Sequence, residues 1–394
     1  MFRLVLDFFK SLKFRIPNSD IIILHENDNW IRKSLGKSFN INTISVAPEK
    51  FNIYFNIKVI KFLIVDLRSV NLGNWFKGSG VRKFCKRIYV RYLLSVIKVA
   101  SPKVVMTYID NSTVFQCLST IDNTRRYIAV QNSVRNQYNV KFVLENDTNH
   151  GKIIHDIFFC FGPSVKNLYN EHNHSVNLFS YSGGSLAVSH FLKNNSYNES
   201  SEKYDICLIS QWIKRNFEND NKQLGEAAIS IKKATILLLN EISNFMIKTN
   251  KSLVVCLRTS DPNEKLFYSK FFKNDISFVS PKDGKFSSYS GFMESKVVVG
   301  VSSTLLIEAL SLGKKSLWCN LDNHKFHKII QDENHVCNVI KRQDFFKKLN
   351  YLLETSNNLS EKKLLKIRND LCPLDYNDLP HLRLKRLVMK IIND

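Results

Sequence analysis

Eight cysteines are spread through 394 residues, and no two of them form a C-x-x-C pair. That spacing excludes zinc ribbons and thioredoxin-type chemistry. Cys160, Cys207, Cys256 and Cys319 sit inside apolar runs that read as buried strands, where a thiol serves as a small hydrophobe. Such usage fits a reducing compartment better than a secreted disulfide scaffold. With only 8 prolines and 13 glycines, the chain is neither low-complexity nor linker-rich. No apolar run is long enough to span a bilayer. The first residues lack both a long hydrophobic stretch and a small-residue cleavage site, so no signal peptide is expected. No RNP motif, zinc finger or helix-turn-helix pattern occurs, which argues against nucleic acid as a partner. No D-x-D stands after a strand where a metal would be held, so neither metal nor cofactor is expected. Acidic residues are also scarce, at 35 against 57 Lys and Arg, leaving a net charge of +22. This surplus implies an anionic partner, either a phosphorylated substrate or an anionic membrane face.

Hydrophobic residues make up 44% of the chain and 28 are phenylalanine, enough for two cores. The pattern alternates strand and helix, as in a doubly wound α/β sheet. Strands are predicted at 21–24, 41–46, 61–67, 104–109, 127–131 and 157–162, with an amphipathic helix from Lys83 to Val99. A second series gives strands at 205–210, 252–258, 276–279, 297–301, 316–319 and 335–340, with a long helix from Gln223 to Lys248. The polar stretch 187–203 reads as a linker. The expected division is therefore a first domain at 1–186, a second at 204–359, and C-terminal helices at 360–394 crossing back onto the first. Residues 1–15 show helical apolar spacing with Arg3, Lys10, Lys13 and Arg15 around it. They read as a helix packed on the first domain or lying on a membrane.

The richest stretch is VVVGVSSTLLIEALSLGKK, residues 297–315. A β-branched run is followed by Ser302, Ser303 and Thr304 where a strand must become a helix. Helix N-termini at the carboxyl ends of parallel strands suit phosphate, although the same three residues can simply cap. Glu308 lies one turn further on the Thr304 side, where a carboxylate could reach a ribose. Other polar residues follow predicted strands in the same way. Asp110 is a candidate general base, or else a helix cap. Gln131, Asn132 and Arg135 could bind a polyhydroxylated or carboxylated substrate, or form a plain polar loop. Gly183, Gly184 and Ser185 could present backbone N–H groups, or make a turn. Ser210 and Gln211 stand where donor phosphates would lie, with Trp212 after them. Arg258 is a cation suited to phosphate or carboxylate, and Glu264 follows in the next loop. His155, His324 and His327 rank lower as acid–base groups.

Taken in order, TYIDNSTVFQCLS, YIAVQNSVRN, DIFFCFGPSVKNLY, GGSL, YDICLISQW, CLRTSDPNEKLFYSKF and GVSSTLLIEALSLGKK resemble the surface-carbohydrate-biosynthesis family of lipopolysaccharide O-antigen and capsule clusters. That family is related to GT-B glycosyltransferases using CMP-activated Kdo or sialic-acid-like sugars. The resemblance implies a GT-B architecture of two Rossmann-like domains with a cleft between them. It also implies inverting, metal-independent transfer from a nucleotide-sugar donor, best read as a CMP-linked nonulosonate, to a glycan or lipid-linked acceptor. By the same resemblance Ser302, Ser303 and Thr304 hold the donor phosphate, Glu308 the ribose, and Asp110 activates the acceptor. The chain departs from the pattern twice. Its Arg258-Thr-Ser-Asp261-Pro262 lacks the histidine of R-x-H-P loops, and Ser133 replaces a glycine. A cytoplasmic location, at most peripheral to the membrane, goes with this reading. Two other readings stay open: a CDP-polyol phosphotransferase of the same fold, and a non-catalytic scaffold binding glycan or lipid. A UDP-sugar 2-epimerase fits less well, because no His-rich set is apparent.

Overall fold

The computed structural model describes residues 12–24, 29–45, 53–68, 81–138, 140, 156–172, 179–194, 202–218, 225–272, 276–355 and 359–394. Two six-stranded sheets, every pairing parallel, form its framework. Apart from them stands a two-stranded ribbon of β1 (Leu12–Lys13) and β4 (Ile53–Tyr54). The first sheet comprises β2 (Ile21–Leu24), β3 (Ile41–Ile44), β5 (Val104–Thr107), β6 (Arg126–Val130), β7 (Ile157–Cys160) and β8 (Phe179–Ser182), in the order β3-β2-β5-β6-β7-β8. The second comprises β9 (Tyr204–Ile209), β10 (Leu253–Cys256), β11 (Ser277–Val279), β12 (Ser295–Gly300), β13 (Lys315–Cys319) and β14 (Asn338–Val339), ordered β11-β10-β9-β12-β13-β14.

The strands are continuous apolar runs because helices cover both faces of each sheet. Ile21, Ile22 and Ile23 are fully buried, as are Val104, Val105, Met106, Val297, Val298 and Val299. Residues that alternate along a strand feed separate cores, one per face. In both sheets the strand order reverses direction once, between β2 and β5 and between β9 and β12. At such reversals neighbouring crossovers leave in opposite directions and open a crevice at the carboxyl ends.

The expected α/β architecture is present, with three local differences. Residues 57–68, expected as a strand at 61–67, form a helix (Ile57–Arg68). Only Val59 and Asp66 on it are buried, and its outer face is also apolar, which hides the helical period. The polar stretch at 187–203 begins as a helix (Leu186–Asn194) with Leu186, Ala187, Val188 and Phe191 buried, so the chain leaves the first domain later than composition suggests. Strand β8 was not anticipated. The N-terminal helix expected at 1–15 lies mostly outside the described residues, and its end, Leu12–Lys13, is strand.

The last helix (Pro380–Asn393) packs on the first sheet, placing Leu384 and Val388 against Ile21, Ile23, Val104 and Met106. It also buries His381, which stacks on His190 with ring centroids 5.5 Å apart. His190 in turn stacks on Trp30 at 5.4 Å. Lys285 of the second domain lies 3.9 Å above the other aromatic partner in this column, the Trp30 ring. Among the described residues no helix is long and apolar enough to cross a membrane.

Burial pushes the His190 imidazole down to about 4. Between pH 6.5 and about 4 the unfolded chain therefore takes up a proton that the folded chain refuses, and stability falls as pH drops through that window. Thermal melts from pH 7 to pH 5 should show a declining midpoint. The slope should be shallower in His190→Gln, and an unchanged slope would remove His190 as the cause.

Candidate functional site

The carboxyl ends of β6, β9, β10, β11 and β12 converge on one cavity of about 550 Å³ between the sheets. Asn132 and Ser133 wall it from the first domain. Ser210, Gln211, Arg258, Lys285, Ser302, Ser303 and Thr304 wall it from the second. The pairs 210/211 and 302/303 follow β9 and β12, the two strands flanking the reversal in the second sheet. A second lobe of about 310 Å³ shares Ser133, Ser302 and Thr304 with the first and adds Arg135 and His327.

Ser303 caps the helix Thr304–Ser311, its hydroxyl accepting from Leu305 N at 3.3 Å. That start of a helix points its remaining N–H groups at the cavity. Arg258 is exposed there, and among the described residues its guanidinium makes no ion pair or hydrogen bond. Its position is fixed from below by Glu264, which is fully buried. Glu264 accepts from Arg258 N at 2.7 Å, from Thr259 N at 2.8 Å, and from the hydroxyls of Thr259 and Ser210. One carboxylate thus ties the ends of β9 and β10 together. Lys285 has no acidic partner among the described residues. Burial, with Lys33 nearby, pushes its ammonium down to about 8. An anion in the cavity would meet two unneutralised cations and a helix N-terminus.

Three expected roles, at Asp110, Glu308 and Gly184, are corrected by this geometry, and with the first go those of Arg135 and Gln131. Asp110 has no exposed surface. Its Oδ2 accepts from Arg135 Nε and its Oδ1 from Arg135 Nη2, both at 2.7 Å, and Tyr169 donates to Oδ2 at 3.1 Å. Asn132 N adds a long contact to Oδ1 at 3.5 Å, so each oxygen of this fully buried carboxylate already faces two donors, and Asp110 is an anchor for the loop carrying Asn132 and Arg135. Ser112, not Asp110, caps the following helix. Arg135 is correspondingly spent: Asp110 raises its pKa despite burial, and its side chain also reaches Ser133, Val134 O and Asn132 Oδ1. Gln131 is buried too, bridging Phe161 N and Ser133 O at 2.8 Å each.

Glu308 does not face the cavity. Its Oε1 accepts from Ser185 Oγ of the first domain at 2.7 Å and its Oε2 from Tyr289 OH at 2.8 Å. Burial raises its pKa, and the two hydrogen bonds oppose the rise. Thr304, one turn earlier on the same side, accepts from Val134 N at 3.3 Å. The i, i+4 face thus docks one domain on the other through Glu308, while Thr304 both joins that contact and lines the cavity. Gly184, the third correction, has φ +87°, and a Cβ on it would lie 2.7 Å from Pro380 Cγ. Its N–H and that of Gly183 go to carbonyls at the end of β7. The pair is needed for close packing, and a ligand finds no free donor there.

Lys285 was missed, although its loop follows the expected strand at 276–279 and the strand-end rule covers it. His155 lies outside the described residues. His324 caps a single 3₁₀ turn and contacts Glu226 at 3.0 Å. His327 is buried against the second lobe, and among the described residues its Nε2 has no hydrogen-bond partner. Burial, with His324 nearby, pushes its imidazole down to about 4. Among the described residues no group of three or more His, Cys, Asp or Glu could hold a metal ion.

Two facing doubly wound sheets with a cleft at their carboxyl ends define a GT-B fold, and solved structures agree. The S. aureus MnaA–UDP co-structure matches with a TM-score of 0.54 at 13% identity, covering 95% of this chain and 98% of that one. The Methanocaldococcus jannaschii UDP-GlcNAc 2-epimerase in complex with UDP-GlcNAc and UDP matches at 0.55 and 15%, covering 94% and 99%. The wall teichoic acid polymerase TagF matches at 0.51 and 10%, covering 98% and 91%. No curated protein matches in sequence. A family model for O-antigen biosynthesis proteins matches residues 128–379, and the chain belongs to that family of surface carbohydrate biosynthesis.

Replacing Asp110 by Asn leaves Arg135 buried without a counter-charge, which should cost about 3–5 kcal/mol of stability. Chemical denaturation measures this directly. A variant with wild-type stability would restore Asp110 to the list of free acids.

Proposed function

We propose that the protein is a glycosyltransferase of surface polysaccharide assembly, moving a sugar from a nucleotide-activated donor to a glycan acceptor. The observation that carries this reading is the donor-sized lobe in which Arg258, Lys285 and the capped start of the helix Thr304–Ser311 meet without an anion of the protein's own. Negative charge develops on the phosphate as the sugar–phosphate bond breaks, and fixed cations with a helix N-terminus stabilise it without a metal. Solved structures of the same fold in complex with UDP or UDP-GlcNAc support the reading of a nucleotide there.

The finer reading is a CMP-linked nonulosonate donor. Such a donor carries two anionic groups, the phosphate and the sugar carboxylate, and the lobe offers two free cations. A CDP- or UDP-linked donor, with two phosphates, would use the same pair, so the nucleotide decides. Acceptor activation falls to His327, because Asp110 is unavailable. Its imidazole stays neutral near pH 7, lines the adjoining lobe, and shares the walls Ser133, Ser302 and Thr304 with the donor lobe. The acceptor oxygen forms a bond to the anomeric carbon while the phosphate departs with the bonding electrons, and the hydroxyl proton passes to the ring. Attack from the side opposite the phosphate inverts the centre. The eight free cysteines accord with a cytoplasmic reaction.

Thermal shift with CMP, CDP and UDP tests the donor, since a ligand bound only by the folded state raises its midpoint. A selective response to CMP supports the nonulosonate. CDP would point to polyol-phosphate transfer, UDP to a UDP-sugar, and no response to a non-catalytic scaffold. Arg258→Ala should weaken the responding nucleotide by about 2 kcal/mol, roughly thirtyfold. In a transfer assay His327→Ala should abolish turnover while nucleotide affinity is kept. Retained turnover would reassign the base.

A further inference from the structure

We infer that the ribbon β1–β4 and the helix Ile57–Arg68 form a docking face for an anionic lipid bilayer. This conclusion is independent of the sugar chemistry, because it rests on a surface away from the cavity walls. Six large apolar side chains stand out into solvent here. Exposure is 63% for Phe14, 59% for Phe55, 70% for Ile57, 40% for Phe62, 44% for Ile64 and 62% for Val65. The first three adjoin, since Phe55 N donates to Lys13 O at 2.8 Å, the Phe14 and Phe55 rings meet edge to face at 6.5 Å, and Ile57 begins the helix two residues later; Phe62, Ile64 and Val65 follow along that same helix. Single exposed apolar residues are ordinary, but a cluster of this size marks a surface that is covered in use.

Charge decides what covers it. Lys13, Arg15, Lys58, Lys61 and Arg68 are exposed among these apolar residues. The only acid in the two described segments, 12–15 and 53–68, is Asp66. It is buried and engaged by Lys98 at 2.8 Å and Arg91 at 3.6 Å. Among the described residues the face therefore offers cations and hydrocarbon and no exposed anion. A protein core or a second copy of the same face would leave these cations desolvated or repelling one another. An interface of lipid headgroups takes both parts at once, with the apolar side chains below the headgroup plane and the ammonium and guanidinium groups at the phosphates. The helix lies on the surface with apolar residues on both faces, a pattern that ordinary surface helices avoid. Docking here would hold the enzyme beside lipid-linked acceptors.

The test is co-flotation of the purified full chain with vesicles of phosphatidylcholine alone or mixed with phosphatidylglycerol. Binding should require the anionic lipid and weaken as salt is raised. The double substitution Ile64→Asp, Val65→Asp should abolish it. Lys58→Glu with Lys61→Glu should reduce partitioning at least about tenfold, given roughly fivefold per cation near an anionic surface. Exchanging Lys385 and Lys390 for Glu on the last helix should change it little. The first two variants alter exposed residues and the third alters exposed Lys390 and half-buried Lys385, and unchanged thermal midpoints would verify the fold of all three. Absence of binding to anionic vesicles, or equal loss in the last-helix variant, would overturn the assignment. So would a concentration-dependent dimer in size-exclusion chromatography that Ile64→Asp, Val65→Asp dissociates, because a second copy would then occupy the face.

Discussion

One buried carboxylate holds the two halves of this protein in register. Glu308 takes a hydroxyl from Ser185 of the first domain on one oxygen and from Tyr289 of the second on the other. It stands one turn into the helix whose first residues line the cavity. A shift between the domains at this point would leave a desolvated carboxylate short of donors, which is costly in a low-dielectric interior. The position of the donor lobe, with walls from both sheets, follows from that tie. An apolar cluster running from Phe161 and Phe191 into Cys207, Val254 and Trp318 extends the same contact.

The interior acids follow a common logic. Asp110, Glu264 and Glu308 are all buried at strand ends or helix starts near the cleft, and all accept hydrogen bonds from neighbouring elements. Asp110 and Glu308 hold side chains across gaps, while Glu264 aims backbone. Parallel sheets end in loops without mutual hydrogen bonds, and a carboxylate can gather several such N–H groups where no ladder can. Among the described residues, the charges at the cavity without an oppositely charged partner are the cations Arg258 and Lys285. This separation, with acids inside and bases outward, is a local version of the +22 surplus.

Much of this was legible in the sequence, and the parts that were not share a cause. Continuous β-branched runs identify eleven of the twelve sheet strands, because burial on both faces leaves an unambiguous pattern. The strand-end rule also places Asn132, Ser210, Gln211, Arg258 and Ser302–Thr304 at the cavity. What a linear reading cannot supply is the partner across the gap. Asp110 looks like a free acid until Arg135, 25 residues on, is folded against it. Glu308 looks like a ribose ligand until Ser185, 123 residues earlier, arrives. The helix Ile57–Arg68 was misread for a different reason. Apolar residues on its outer face erase the period that would have marked it.

The return of the last helix to the first sheet makes that domain's core discontinuous along the chain. During synthesis the face formed by Ile21, Ile23, Val104 and Met106 is made early, but Leu384 and Val388 emerge only after the whole second domain has been translated. At ordinary elongation rates the interval from Met106 to Leu384 is roughly 15–55 s. Throughout it the second domain can fold as a contiguous unit, while the first remains an open sheet with one face uncovered. The order of maturation is thus the reverse of the order of synthesis. The newborn chain presents these strands to chaperones, or to aggregation, until the helix Pro380–Asn393 emerges.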